Sequence, residues 1–314
     1  MTEVADFPQT RFTELVGCRV PVQQAPIGAV TTVALAVAVA DAGGLGMLAA
    51  VRRPAKAVTE ALEEALGAAQ PDSRIGVNFL IPFLDLAALE VAASRAAIVE
   101  CFFGEPDAEV IRRIHAGGAL AAWQVGSVSE ARAAADAGCD LIIAQGSEAG
   151  GHVRGVVPLL QLLDGVCPAV AVPVLAAGGI GSGRALATAI SSGADGACVG
   201  TRFVATPEAD AHDDYVVALL EAGADDTVLT ETFSMGWPSA PHRVLRSCVE
   251  ASDAPPEQRS PMPPTRDFAG STKAAALYAG TSVGDVRSVQ PAAEVLAELV
   301  NEAAALLRAL PAGT

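Results

Sequence analysis

Lysine is nearly missing from this 314-residue chain, which has only Lys56 and Lys273. Almost every cation is therefore arginine, and acids outnumber bases to a net charge of −16. Nucleic acids and anionic membranes are held by clustered cations, so neither is an expected partner. No apolar run reaches the ~20 uninterrupted residues of a membrane-spanning helix. Thr31–Ala40 is apolar, but Asp41 and two glycines close it. The opening MTEVADFPQT lacks the basic region and apolar stretch of a secretion signal. The six cysteines, Cys18 to Cys248, include no CxxC pair, which points to reduced thiols in a cytoplasmic protein. HExxH spacing is absent around His115, His152, His212 and His242, so no dedicated metal site is expected.

What is present is a rhythm. Apolar runs that read as buried strands occur at Pro21–Ala25, Leu45–Leu48, Ile75–Phe79, Ala97–Phe102, Leu120–Val125, Leu141–Ala144, Val174–Ala177 and Ala197–Val199. Alanine-rich helical stretches alternate with them, which predicts repeated βα units. Glycines at 43–44, 138 and 193 stand where helices must stop before the next strand. Eight such units in about 200 residues predict an α/β (β/α)8 barrel over residues 1–205. After Thr201 the rhythm breaks. Residues 206–290, with the proline-rich Ala254–Pro264, predict an inserted, mainly helical lid or substrate subdomain, and 291–314 a final helix packing back on the barrel.

The most informative stretch is LIIAQGSEAGGHVRG, residues 141–155. A strand runs into Gln145, then into Gly150, Gly151 and His152. Paired glycines allow close backbone approach to a ligand, and histidine exchanges protons near neutral pH. Strand ends carrying such loops build the active sites of these barrels. A tight turn with an incidental histidine is the competing reading. VLAAGGIGSG, with Gly178 and Gly179, and then CVGTRF, with Cys198, Val199, Gly200 and Thr201, supply the loops after the last two strands. Barrel enzymes commonly hold a phosphate there, and the start of the helix after the first loop would offer free N–H groups. The glycines do not fit GxGxxG, which weakens a dinucleotide fold. Gly280 to Gly284 fits GxSxG, but no histidine follows His242 to complete a hydrolase triad.

These segments, with QAPIGAV, GVNFL and ALYAGTSVG, resemble the nitronate monooxygenase family, also called 2-nitropropane dioxygenase-like flavoproteins, over roughly residues 15–300. The resemblance implies a barrel that holds FMN at its C-terminal face. It implies that Ala25, Pro26 and Ile27 line the flavin with backbone atoms and that Asn78 bonds it. Gln145 and Gly150 would lie beside the ring and its chain, and Gln124 and Gly151 would also bind the cofactor. Gly179, Gly200 and Thr201 would hold the phosphate, Gly178, Cys198 and Val199 would also bind the cofactor, and His152 would be the catalytic base. Ile27 stands where the family often has methionine, and Val153 separates His152 from Arg154 where the family often reads GGHRG.

The activity so implied is oxidation of alkyl nitronates by O2 to a carbonyl compound and nitrite, with His152 deprotonating neutral nitroalkanes at its ordinary pKa near 6.5. The alternative is an NAD(P)H-dependent flavin reductase acting on quinones or enoyl-acyl carrier thioesters. A non-redox phosphate-binding barrel is the third reading. The expected partners are a small-molecule substrate and O2, and a homo-oligomer is an open expectation.

Overall fold

The computed structural model describes residues 4, 6–251 and 259–309. Eight parallel strands close into a barrel: β1 Val22–Gln24, β2 Leu45–Ala49, β3 Arg74–Leu80, β4 Ile98–Phe102, β5 Leu120–Val125, β6 Leu141–Gln145, β8 Val174–Ala177 and β9 Gly196–Val199. The ring closes where Gln23 of β1 pairs with Cys198 of β9. β2, β4, β6, β8 and β9 are buried at every position, as strands covered on both faces must be. All eight expected strands are therefore present, each within two residues of its sequence-read ends.

Helices α2 Val33–Asp41, α3 Ala55–Ala68, α4 Leu86–Ala93, α5 Ala108–Gly117, α6 Val128–Asp136, α7 Leu159–Val166 and α8 Gly183–Ser191 follow the first seven barrel strands. Thr32, Asp85, Asp107, Ser127 and Ser182 each accept a backbone N–H at a helix start, which fixes where these helices begin. The eighth barrel helix is α12, Ala292–Ala309, which packs between α8 and α2. α12 thus completes the outer ring. Beneath the barrel, α1 (Arg11–Val16) inserts Phe12 and Val16 among Leu45, Ile98, Leu141 and Leu175. Its guanidinium at Arg11 clamps Asp195 at 2.9 and 2.7 Å.

The described residues between β9 and α12 form an enlarged βα connection, so they lie over the C-terminal face. It begins with α9 Thr201–Val204 and α10 Asp213–Glu221 and includes α11 Arg246–Glu250. The expectation of a mainly helical insertion needs one amendment. β10 Thr227–Thr230 and β11 His242–Leu245 form an antiparallel pair, and β11 also pairs with β7, the two residues Gly151–His152. The insertion is thereby hydrogen-bonded to the histidine loop. Part of the proline-rich stretch, residues 252–258, lies outside the described residues.

Candidate active site

Inward-facing side chains alternate along the strands, so the upper barrel exposes Asn78 and Leu80, Glu100 and Phe102, Gln124, Gln145, Ala177 and Cys198 to one pocket. The pocket encloses about 240 Å³, room for a ligand rather than a few waters. Ala25, Pro26, Ile27, Gly150, Gly151, His152, Gly178, Gly179, Gly200 and Thr201 also line it. Of the residues singled out from sequence, only Val199 is turned away. Strand alternation sends its side chain into the layer between barrel and helices, and its carbonyl accepts the N–H of Ala25.

His152 stands against the insertion. Its ring centroid lies 4.1 Å from that of Trp237, 5.4 Å from His242, 5.7 Å from Tyr278 and 5.9 Å from Phe103. Neither ring nitrogen has a hydrogen-bond partner among the described residues, so both remain open to a ligand. Burial, aided by the neighbouring His242, depresses the pKa of His152 to about 3. The imidazole is therefore neutral at physiological pH. This corrects the expectation of a base titrating near 6.5: in this setting the ring donates or accepts a hydrogen bond but is a weak proton acceptor. His242 is also held neutral. Its Nε2 accepts the N–H of Phe233 at 3.2 Å, which leaves Nδ1–H to donate to the Ala240 carbonyl at 2.9 Å.

Gln145 lines the pocket and also shapes the loop that follows its strand. Its Nε2 donates to the His152 carbonyl at 2.9 Å, and its Oε1 accepts the Arg154 N–H at 3.1 Å. Both ends of the amide are spent on the shape of the histidine loop. The glycine at 150 serves the same loop. A Cβ there would stand 2.5 Å from the Gly280 nitrogen, so two backbones can cross. Arg154, displaced by Val153 from the spacing the family favours, pairs with Glu130 at 2.6 Å and with Glu105.

Backbone donors near Ala25–Ile27 are committed within the protein. The Ala25 N–H goes to Val199 and the Ile27 N–H to the Thr31 hydroxyl at 2.7 Å, so this segment offers apolar surface rather than hydrogen bonds. The start of α8 is also closed as an anion site. Ser182 caps it, and the Gly183 N–H bonds Glu302 at 2.7 Å. The open donors lie just before it. The N–H groups of Gly179, Ile180, Gly200 and Thr201 have no protein acceptor among the described residues. These four residues line the pocket, and a Cβ on Gly179 would crowd their support, lying 3.3 Å from both Glu148 Cβ and Thr281 Oγ1. Thr201 Oγ1 accepts the Gly280 N–H at 3.0 Å and ties the insertion to this cradle.

On the pocket floor, the amide of Gln124 is buried and has no partner among the described residues. Asn78 donates through Nδ2 to Glu100 at 2.9 Å, which leaves its carbonyl oxygen open. Sequence reasoning missed Glu100, although a glutamate inside an apolar strand was a visible signal. It also missed Trp237, Tyr278 and Arg52. Arg52 sits at the pocket mouth with its guanidinium 3.8 Å from the centroid of the Phe83 ring and has no acidic partner among the described residues. No local spacing marks Trp237 and Tyr278, because the insertion brings them in over long sequence distances. The arrangement joins a buried amide floor, a cradle of free N–H groups and an aromatic wall around a neutral imidazole.

A family model described as nitronate monooxygenase matches residues 9–87 and 60–302. The chain is 31% identical over 349 residues to a nitronate monooxygenase of Pseudomonas aeruginosa, covering 93% of this chain and 98% of that one. Over 243 residues it is 37% identical to a (3aS,4S,5R,7aS)-5-hydroxy-7a-methyl-1-oxo-octahydro-1H-indene-4-carboxyl-CoA dehydrogenase of Mycobacterium tuberculosis. That match covers 76% of this chain and 66% of the relative, just under two thirds of its length. Among solved structures, FabK from Thermotoga maritima superposes with a TM-score of 0.84 at 29% identity, over 96% of this chain and 98% of that one. A nitroalkane oxidase from Streptomyces ansochromogenes does so with a TM-score of 0.80 at 31% identity, over 95% and 99%.

Proposed function

The chain belongs to the nitronate monooxygenase family of oxidoreductases, and on that premise we propose that it oxidises preformed alkyl nitronates with bound FMN and O2, giving a carbonyl compound and nitrite. The observation that carries this reading is His152, neutral and unpartnered on the pocket wall. A neutral imidazole can donate one N–H to a nitronate oxygen. It is too weak a base to strip carbon-bound protons efficiently at neutral pH. The anionic substrate, already deprotonated, needs only the former.

The pocket fits FMN by its own chemistry. The free N–H groups of Gly179, Ile180, Gly200 and Thr201 suit a terminal phosphate, and one phosphate cradle suits a mononucleotide. The Gln124 amide and the Asn78 carbonyl suit the polar edge of a flat heterocycle. When bound, FMN would supply the electron transfer, while the protein binds, orients and excludes water. Gln145 fixes the His152 loop. Trp237, Tyr278 and Phe103 shield the imidazole from solvent, which strengthens any hydrogen bond it makes to an anion.

A second reading, an acyl-thioester oxidoreductase, is favoured by Arg52. A guanidinium at the mouth with no acidic partner among the described residues suits the anionic end of a substrate longer than a nitroalkane. The coenzyme A thioester named for the 37% identical relative is such a substrate. Aerobic turnover tests the first reading. FMN-loaded protein given a preformed nitronate should produce nitrite and carbonyl compound in equal amounts. No nitrite above the free-flavin control would reject it.

A further inference from the structure

Glu100 is the only carboxyl among the described residues that line the pocket, and it is 1% exposed. Its Oε2 accepts from Gln23 Nε2 at 2.6 Å and its Oε1 from Asn78 Nδ2 at 2.9 Å. No cation pairs with it among the described residues. The nearby ionisable groups are the thiols of Cys101 and Cys198, both pushed far up by burial and so uncharged. The other titratable groups on the pocket are the neutral His152, the Tyr278 phenol, which burial pushes up, and Arg52 at the mouth. Burial raises the Glu100 pKa to about 7, against the opposing pull of the two amide hydrogen bonds. The barrel floor thus holds a carboxyl that can exist in either state at physiological pH, in a place where no other charge answers to it.

We propose that Glu100 is a redox-linked proton acceptor, taking one proton from solvent when the flavin in this pocket gains two electrons and returning it on reoxidation. This rests on the FMN reading above. The electrons come from the organic donor, a nitronate or a reduced pyridine nucleotide. Two electrons with one proton leave an isoalloxazine ring with one extra negative charge. A second negative charge inside a low-dielectric pocket raises the proton affinity of a carboxylate there. The balance is two electrons and one proton to the flavin, and one proton to Glu100, whose carboxylate becomes a carboxylic acid. That acid needs an acceptor for its O–H. A half-turn of the Gln23 amide supplies one, since the Gln23 side-chain oxygen has no other partner among the described residues. Glu100 would then tune the flavin by charge, one of the levers a protein has over this cofactor.

The test is potentiometric and needs no turnover. The midpoint potential of FMN-loaded protein is measured from acid to alkaline pH for the parent and for Glu100→Gln, with Glu100→Asp as a variant that keeps a carboxyl. One extra proton per two electrons makes the reduction constant fall tenfold more per pH unit, or about 30 mV. The parent and Glu100→Asp should show that steeper segment near neutrality, and Glu100→Gln should lack it. Equal slopes in parent and Glu100→Gln would overturn the proposal. Should Glu100→Gln fail to fold, the redox-difference infrared spectrum of the parent decides. Reduction should produce a protonated-carboxyl band that moves when glutamate is 13C-labelled, and its absence would overturn the proposal. Protein that takes up no FMN removes the cofactor reading and this inference together. FMN-loaded protein with equal slopes removes the inference alone.

Discussion

Gln145 donates its side-chain N–H to the backbone carbonyl of His152 at 2.9 Å, and the same amide accepts from Arg154. A barrel strand therefore ends by gripping the loop that follows it. The loop is gripped from the other side by β11, where His242 pairs with His152. Gln145→Ala should loosen this register and leave two half-buried backbone groups without their side-chain partner, at a cost of about 1 kcal/mol. We expect reduced kcat/KM for nitronate with FMN still bound. Thermal unfolding and flavin titration of the variant check both parts.

The depressed pKa of His152 gives a pH dependence of defined sign. The unfolded side chain takes a proton near its ordinary pKa of 6.5, while the folded one resists it until about 3. The associated stability is fully present above about 6.5 and is lost progressively as pH falls toward 3. His152→Asn should therefore lose less stability than the parent across that window. Its kcat/KM for preformed nitronate should fall about tenfold to a hundredfold, the worth of one hydrogen bond to a charged group. The parent profile for nitronate, corrected for protonation of the nitronate itself, should show no ionisation near 6.5 that belongs to His152. An ionisation there that disappears in His152→Asn would contradict the neutral-imidazole account.

FMN should raise the melting temperature. A ligand that binds only the native state adds about 2.7 kcal/mol at 100 times its Kd. Gly179→Val should weaken this effect, because its φ of 68° disfavours a β-branched residue and its side chain would press on Glu148 and Thr281, distorting the backbone that carries the cradle. Calorimetric scans with and without FMN measure the difference.

Phe12 offers a structural control. It fills the barrel bottom with no exposed surface, far from the pocket at the other end of the strands. Phe12→Ala should cost about 3–5 kcal/mol while FMN affinity at low temperature stays unchanged. Denaturant unfolding with flavin titration checks this.

Arg52 separates the two substrate readings. Arg52→Ala should leave a small nitronate almost unaffected. If acyl-CoA thioesters are substrates, their KM should rise about tenfold or more on losing one charge-assisted hydrogen bond. Steady-state kinetics with both substrate classes decides.

The barrel was legible because local signals agree on it. Strands such as Leu141–Gln145 are continuously apolar, Ser127 and Ser182 cap the helices that follow their loops, and Gly43, Gly138 and Gly193 take left-handed conformations before the next strand. The site was legible where glycine and strand ends meet, as at Gly150, Gly179 and Gly200. It was illegible where contacts are long-range. β11 reaches His152 from 90 positions downstream, so neither the small sheet nor the aromatic wall of Trp237 and Tyr278 leaves a periodic trace. The basicity of His152 was misjudged for the same reason, since burial by the insertion sets it.

The central claim is that the nitronate itself is the electron donor. Its most direct test is anaerobic mixing of FMN-loaded protein with a preformed alkyl nitronate, and separately with NADH and with NADPH, while flavin absorbance is followed. The account predicts rapid bleaching by nitronate and none beyond the free-flavin rate by either nucleotide. Rapid bleaching by NADH or NADPH, with nitronate leaving the flavin oxidised, would contradict it.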